Sequence, residues 1–115
     1  MKFAVSSQNW LTITRHGGKS RRWLIFEAEA GGEPREVGRL DLPEDQTVHA
    51  THGAGHHPLF DMDVVLTGSC GEGFMRRMAE HGVRTFATEE KNPVAAIKGW
   101  FAGTLAPAAP HDHRH

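Results

Sequence analysis

The stretch that decides the fold is Asp61–Leu105, DMDVVLTGSCGEGFMRRMAEHGVRTFATEEKNPVAAIKGWFAGTL. Residues 63–67, Asp-Val-Val-Leu-Thr, form a short apolar run rich in β-branched side chains, the signature of a strand buried on both faces. Gly68-Ser69-Cys70-Gly71-Glu72-Gly73 turns the chain into a helix over 74–81. There Phe74 and Met78, and Met75 and Ala79, lie four apart and make one apolar stripe. Gly82 is a stop signal for that helix, and Val83–Thr88 is the next strand. Asn92-Pro93 reads as an N-cap followed by proline at the first helical position. Val94, Ile97 and Phe101 give the last helix its core face, and Gly103 ends it. A strand–helix–strand unit of this length places its two strands parallel.

Upstream, the reading changes from alternating elements to strands alone. Lys2–Ser6 is a first strand on Phe3, Ala4 and Val5. Trp23-Leu24-Ile25-Phe26 begins a second, its unbroken apolar run marking a central position. Gly31-Gly32 signals a hairpin. Arg35–Leu42, bracketed by Pro34 and Pro43, is a charged third strand that suits an edge. The expectation is an α/β domain with a five-stranded mixed sheet: strands one to three form an antiparallel meander, strands four and five a βαβ unit, and helices pack on the sheet. Residues 44–58 read as a polar loop rich in Gly and His. Residues 1–105 make the single domain, and 106–115, a Pro/Ala spacer ending in His-Asp-His-Arg-His, a flexible tail.

The totals are consistent with one domain of 115 residues. Thirteen Lys and Arg against fourteen Asp and Glu give no global attraction to nucleic acid or to acidic membranes. The mean hydropathy of −0.47 allows a modest core. A single cysteine precludes an internal disulfide and favours a reducing compartment. The N-terminal MKFAVSSQNW has no long apolar run, which argues against a signal peptide or membrane span. The expected location is the cytoplasm.

Two stretches carry a family likeness. One is His16-x-Gly18-x-Ser20-x-x-Trp23-x-Ile25-Phe26; the other is Asp61–Leu105 with its Gly-x-Leu ending. Together they resemble the nitrogenase iron–molybdenum cofactor biosynthesis family, the NifX/NafY-like dinitrogenase accessory proteins. The resemblance implies a ribonuclease H-like fold with strand order 3-2-1-4-5. It also implies a non-enzymatic task, binding or carrying the iron–molybdenum cofactor or its iron–sulfur precursor, with nitrogenase or cofactor-assembly scaffolds as partners. In some members of that family the histidine of the first turn is implicated in holding the cluster, which points to His16. The family's usual Phe after that histidine is Gly17 here, so a looser turn without an aromatic wall is expected.

The residues themselves suit such a ligand. Metalloclusters of this kind are anionic, so a site needs a soft or borderline donor within positive charge. His16 supplies the imidazole. Arg15, Lys19, Arg21 and Arg22 supply charge, and Gly17-Gly18 let backbone N–H groups approach a bulky ligand. The alternative is a solvated turn with ordinary surface charges. Cys70 is a candidate second ligand, its pKa lowered by the helix terminus beside Gly71; the alternative is a small buried cysteine in a tight turn. In the implied strand order the loops after strands one and four open on one edge, at a topological switch point where ligands bind. His16 and Cys70 are therefore expected to face one crevice.

Other stretches suit other chemistries. His49-x-x-His52-x-x-x-His56-His57 can capture Zn, Ni or Cu, which makes a divalent-metal buffer or sensor the main alternative function. A cofactor-free interaction module is another. Residues 68–73 match neither a Walker A motif nor Gly-x-Gly-x-x-Gly. A two-metal nuclease needs carboxylates at the centre of the sheet. The first strand has none, and Asp61 and Asp63 lie at the wrong end of the fourth. No catalytic residues are assigned.

Overall fold

The computed structural model describes residues 1–51 and 55–108. Its strands are β1 (Lys2–Ser6), β2 (Arg22–Glu27), β3 (Arg35–Asp41), β4 (Val64–Thr67) and β5 (Arg84–Ala87). The helices are α1 (Val48–Thr51), α2 (Glu72–Glu80) and α3 (Pro93–Ala102). The sheet order is β3-β2-β1-β4-β5. β1 is antiparallel to β2, β2 to β3, and β4 is parallel to both β1 and β5. The mixed five-stranded sheet and its order are those the sequence and its resemblance imply.

Alternation along the strands builds two cores, because successive side chains point to opposite faces. Phe3, Val5, Leu24, Phe26, Val64 and Leu66 face Ala96 and Ile97 of α3. Ala4, Trp23, Ile25 and Val65 face Phe74 and Met78 of α2, together with Val48, Leu59 and Phe60. The α3 boundaries follow local chemistry. Asn92 accepts a hydrogen bond from Ala95 N–H at 2.9 Å, Pro93 starts the helix, and Gly103 closes it with φ 72°.

Three expectations are corrected. Residues 44–58 are not a plain loop. They contain a 3₁₀ turn at Glu44–Gln46, then α1, and a second 3₁₀ turn starts at Pro58. The polar composition masked Val48, which is buried and docks this segment on the sheet. Helix α2 starts two residues earlier than expected, with Gly71 as N-cap. Only Phe74 and Met78 of its stripe are buried, while Met75 is 43% exposed. Past α3 the chain returns to β5: Thr88 bridges Pro107, and Ala108 N–H donates to Ala87 O at 2.9 Å. The histidines at 111, 113 and 115 lie outside the described residues. Among the described residues, no helix is long and apolar enough to cross a membrane.

Candidate functional site

The loops that leave β1 and β4 meet at the switch point, and short hydrogen bonds knit them. Thr14 N–H donates to Ser6 O at 2.8 Å, and Gly68 N–H to Thr14 O at 2.9 Å. Ser6 Oγ also donates to Thr14 O, at 2.6 Å. Glycine at 68 eases this approach, because a Cβ there would lie a tight 3.1 Å from Thr14 O. Beyond Thr14 the chain makes a tight 3₁₀ turn, Gly17–Lys19, entered through His16.

His16 has φ 65° and ψ 60°, a left-handed conformation that side chains with a Cβ rarely adopt. Ser69 holds it there. Its Oγ accepts from His16 N–H at 3.0 Å, and its carbonyl accepts from Gly17 N–H at 2.8 Å. Ser20 Oγ donates to His16 O at 3.1 Å. Strain at one position, over-determined by its neighbours, is a common property of functional turns. The imidazole itself is exposed.

His16 opens on a cavity of about 460 Å³, within the usual size range for small-ligand sites. The first loop contributes Gly18 and Lys19 to its lining. The β4–α2 loop contributes Ser69, Cys70 and Gly71, and α2 contributes Phe74 and Arg77. Val48 and His49 of α1 complete it. His16 and Cys70 thus face one crevice, as the topology argument predicts. Among the described residues no carboxylate lines it, whereas Lys19 and Arg77 do.

The aromatic wall that Gly17 was expected to remove is present, supplied from elsewhere in the chain. Gly17 is buried, and a Cβ on it would lie 3.4 Å from the Phe74 ring. Phe74 in turn stacks on Trp23, with planes 6° apart. The turn is therefore packed rather than loose.

Cys70 is half-buried and unpaired in a disulfide. Burial pushes its thiol pKa up, opposite to the expected lowering. Burial disfavours the charged thiolate, so the resting group is a neutral thiol.

The basic cluster divides. Lys19 lines the cavity. Arg21 donates through Nε to Leu42 O at 2.8 Å and sits 3.7 Å from Asp41. Arg22 donates to Gln8 O at 3.0 Å and lies over the Trp10 ring. Arg15 is exposed outside the cavity lining. The histidines of 49–57 divide as well. His57 is buried, with Nε2 2.9 Å from Gln46 O and Nδ1 accepting from Leu59 N–H at 3.1 Å. His56 is 3.0 Å from Asp61 on the surface. His49 reaches the cavity, and His52 lies outside the described residues. Among the described residues, no three His, Cys, Asp or Glu side chains are placed to hold one metal ion.

Sequence reasoning missed Phe74 and Arg77 as site residues. Their signal was available: positions three apart on a helix share a face, and Phe74 was already assigned inward.

The model of the family described as dinitrogenase iron–molybdenum cofactor matches residues 1–103. Among solved structures, PH0822 is similar with a TM-score of 0.68 at 18% identity, over 99% of this chain and 97% of that one. A Methanocaldococcus jannaschii protein provisionally assigned as a dinitrogenase gives 0.61 at 11% identity, over 96% and 97%. A Thermotoga protein provisionally assigned as NifB gives 0.56 at 12% identity, over 99% and 98%. At these identities the structural likeness establishes the fold. No curated protein matches the sequence.

Proposed function

The chain belongs to the dinitrogenase iron–molybdenum cofactor family, and on that premise we propose that it is a small accessory protein whose cargo is an anionic iron–sulfur-type metallocluster, the iron–molybdenum cofactor or its precursor. The observation that carries this reading is the composition of the switch-point cavity. Imidazole and thiol groups share it with Lys19 and Arg77, and among the described residues no carboxylate lines it.

His16 is the lead donor, presented outward by a turn that Ser69 holds in place. Cys70 is the second candidate, deprotonated on binding. Lys19 and Arg77 balance the cargo's negative charge, and Phe74 with Val48 gives an apolar wall that limits water. Held in this way the cluster is bound, shielded and released without a catalytic step. Its partners are the proteins that supply and receive the cluster, nitrogenase or a cofactor-assembly scaffold. A reducing cytoplasm suits the free thiol.

The cationic lining favours an anionic cluster over a single Zn, Ni or Cu cation, because Lys19 and Arg77 border the cavity beside the imidazole and thiol. Anaerobic reconstitution of wild type and His16→Ala with iron and sulfide, followed by metal analysis and visible spectroscopy, tests the reading. Loss of bound iron and of the charge-transfer absorption is expected in the variant. Unchanged iron content and an unchanged spectrum would refute it.

A further inference from the structure

We propose that the groove between α2 and the outer edge of β5 docks an extended, acidic segment of a partner protein, which adds to the sheet beside β5 and seats an apolar side chain in the groove. Nothing in this depends on what the cavity carries. One row of the α2 stripe is left unused by the core. Phe74 and Met78 are buried, whereas Met75 is 43% exposed, and Ala79, one turn on, is exposed as well. With Val83 they give an apolar lining to a groove of about 610 Å³, which Arg76, Arg84 and Thr85 also border.

The strand on the other side of this groove is open. β5 ends the sheet, and its hydrogen bonds show which backbone groups are left. Arg84 N–H donates to Asp63 O at 3.1 Å and Thr88 N–H to Thr67 O at 2.8 Å, so the even positions face β4. The odd positions face outward, as the 2.9 Å bond from Ala108 N–H to Ala87 O shows. Pro107 and Ala108 cover the end of the edge near Thr88. Among the described residues, nothing pairs with the outward N–H and C=O of Thr85. An open edge beside an apolar groove suits an extended peptide, because main-chain bonds hold it while alternate side chains enter the groove.

Charge identifies the occupant. Arg76 and Arg84 have no acidic partner among the described residues. Nor does any described carboxylate line the groove. Two guanidinium groups beside an apolar floor complement a segment that carries carboxylates around an apolar residue. A second copy of this chain is a poor match. Pairing two β5 edges about a two-fold axis would bring the arginines of both copies into one interface as like charges. The groove and the cavity share no lining residue, although α2 contributes to both, so docking does not compete with the cargo.

The test uses full-length protein with ¹³C-methyl methionine and ¹⁵N backbone labels, titrated with a short Glu-Val repeat peptide. A Lys-Val repeat of the same length is the control. The acidic peptide should shift the Met75 methyl and Thr85 amide signals and slow exchange of the Thr85 amide hydrogen; the basic one should do neither. Arg76→Glu and Arg84→Glu should each weaken binding of the acidic peptide several-fold, and the variant carrying both should bind the Lys-Val peptide instead. Equal binding of the two peptides by wild type, or shifts confined to residues outside the groove, would overturn the proposal. Two other occupants would overturn it as well. One is a second copy, seen as a dimer in sedimentation with Met75 and Thr85 at its interface. The other is the chain's own end, seen as nuclear Overhauser contacts from the Met75 methyl to residues 109–115 in the free protein.

Discussion

Replacing His16 by glycine should stabilise the protein relative to replacing it by alanine, while both variants lose the cargo. His16 sits at φ 65°. A residue with a Cβ is less stable in that conformation by about 1–2 kcal/mol. Glycine escapes this penalty but loses more backbone entropy on folding, about 0.5–1 kcal/mol. The net expectation is that His16→Gly exceeds His16→Ala by about 0.5–1 kcal/mol. For a domain of this size that is a rise in Tm of about 2–4 °C. Comparing the two variants with each other cancels the loss of the imidazole, which both share. Urea unfolding followed by tryptophan fluorescence measures the difference, since Trp23 is fully buried. Iron uptake on the same samples measures the function. If the alanine variant equals or exceeds the glycine variant in stability, the turn is not held in the left-handed region, and the account of how His16 is presented is wrong.

Three further outcomes follow from particular contacts. Arg77→Met should weaken cluster retention at low ionic strength, with the difference shrinking in high salt because the contribution is electrostatic. Equal retention at every salt concentration would remove Arg77 from the site. His57 has its pKa lowered chiefly by burial, and its neighbour His56 lowers it further, partly offset by the Gln46 carbonyl. The folded state thus favours the neutral ring, whose Nδ1 accepts from Leu59 N–H. Its contribution is complete above the ordinary value of 6.5 and is lost as pH falls from there through the folded pKa, by at most about 1.4 kcal/mol per pH unit. His57→Gln should flatten this part of the stability profile in pH-dependent urea titrations. Asn92→Ala removes the cap on Ala95 N–H and should cost about 1 kcal/mol in the same unfolding assay.

Much of the site was legible because it depends on topology. Once Asp61–Leu105 is read as strand, helix, strand and helix, and the resemblance supplies the order 3-2-1-4-5, the loops after β1 and β4 open on one edge. His16 and Cys70 then meet without any knowledge of side chains. The basic cluster was less legible, because what each charge faces is supplied by segments distant in the sequence. Lys19 reaches the cavity, whereas Arg21 and Arg22 turn toward Asp41 at the β3 edge. The described histidines of the 49–57 run divide in the same way. Its spacing suggested a common metal, but Val48, Leu59 and Phe60 are buried and pull the segment into separate turns. The imidazoles then face the cavity, the core and the solvent according to position.

What the sequence determined by itself were the elements and their directions. Apolar runs, the Asn92-Pro93 cap and the glycine stops act over a few residues and need no distant partner. The resemblance of His16–Phe26 and Asp61–Leu105 to one family could likewise be recognised in the chain alone. Only the tertiary structure decided which donors share a space. Phe74 places an aromatic ring beside Gly17, where none was expected, Arg77 joins Lys19, and His49 lies beside the His16 turn. Each of these pairs comes from segments far apart in the chain. Their meeting is fixed by packing on the two sides of the sheet, and local propensity carries no information about such contacts.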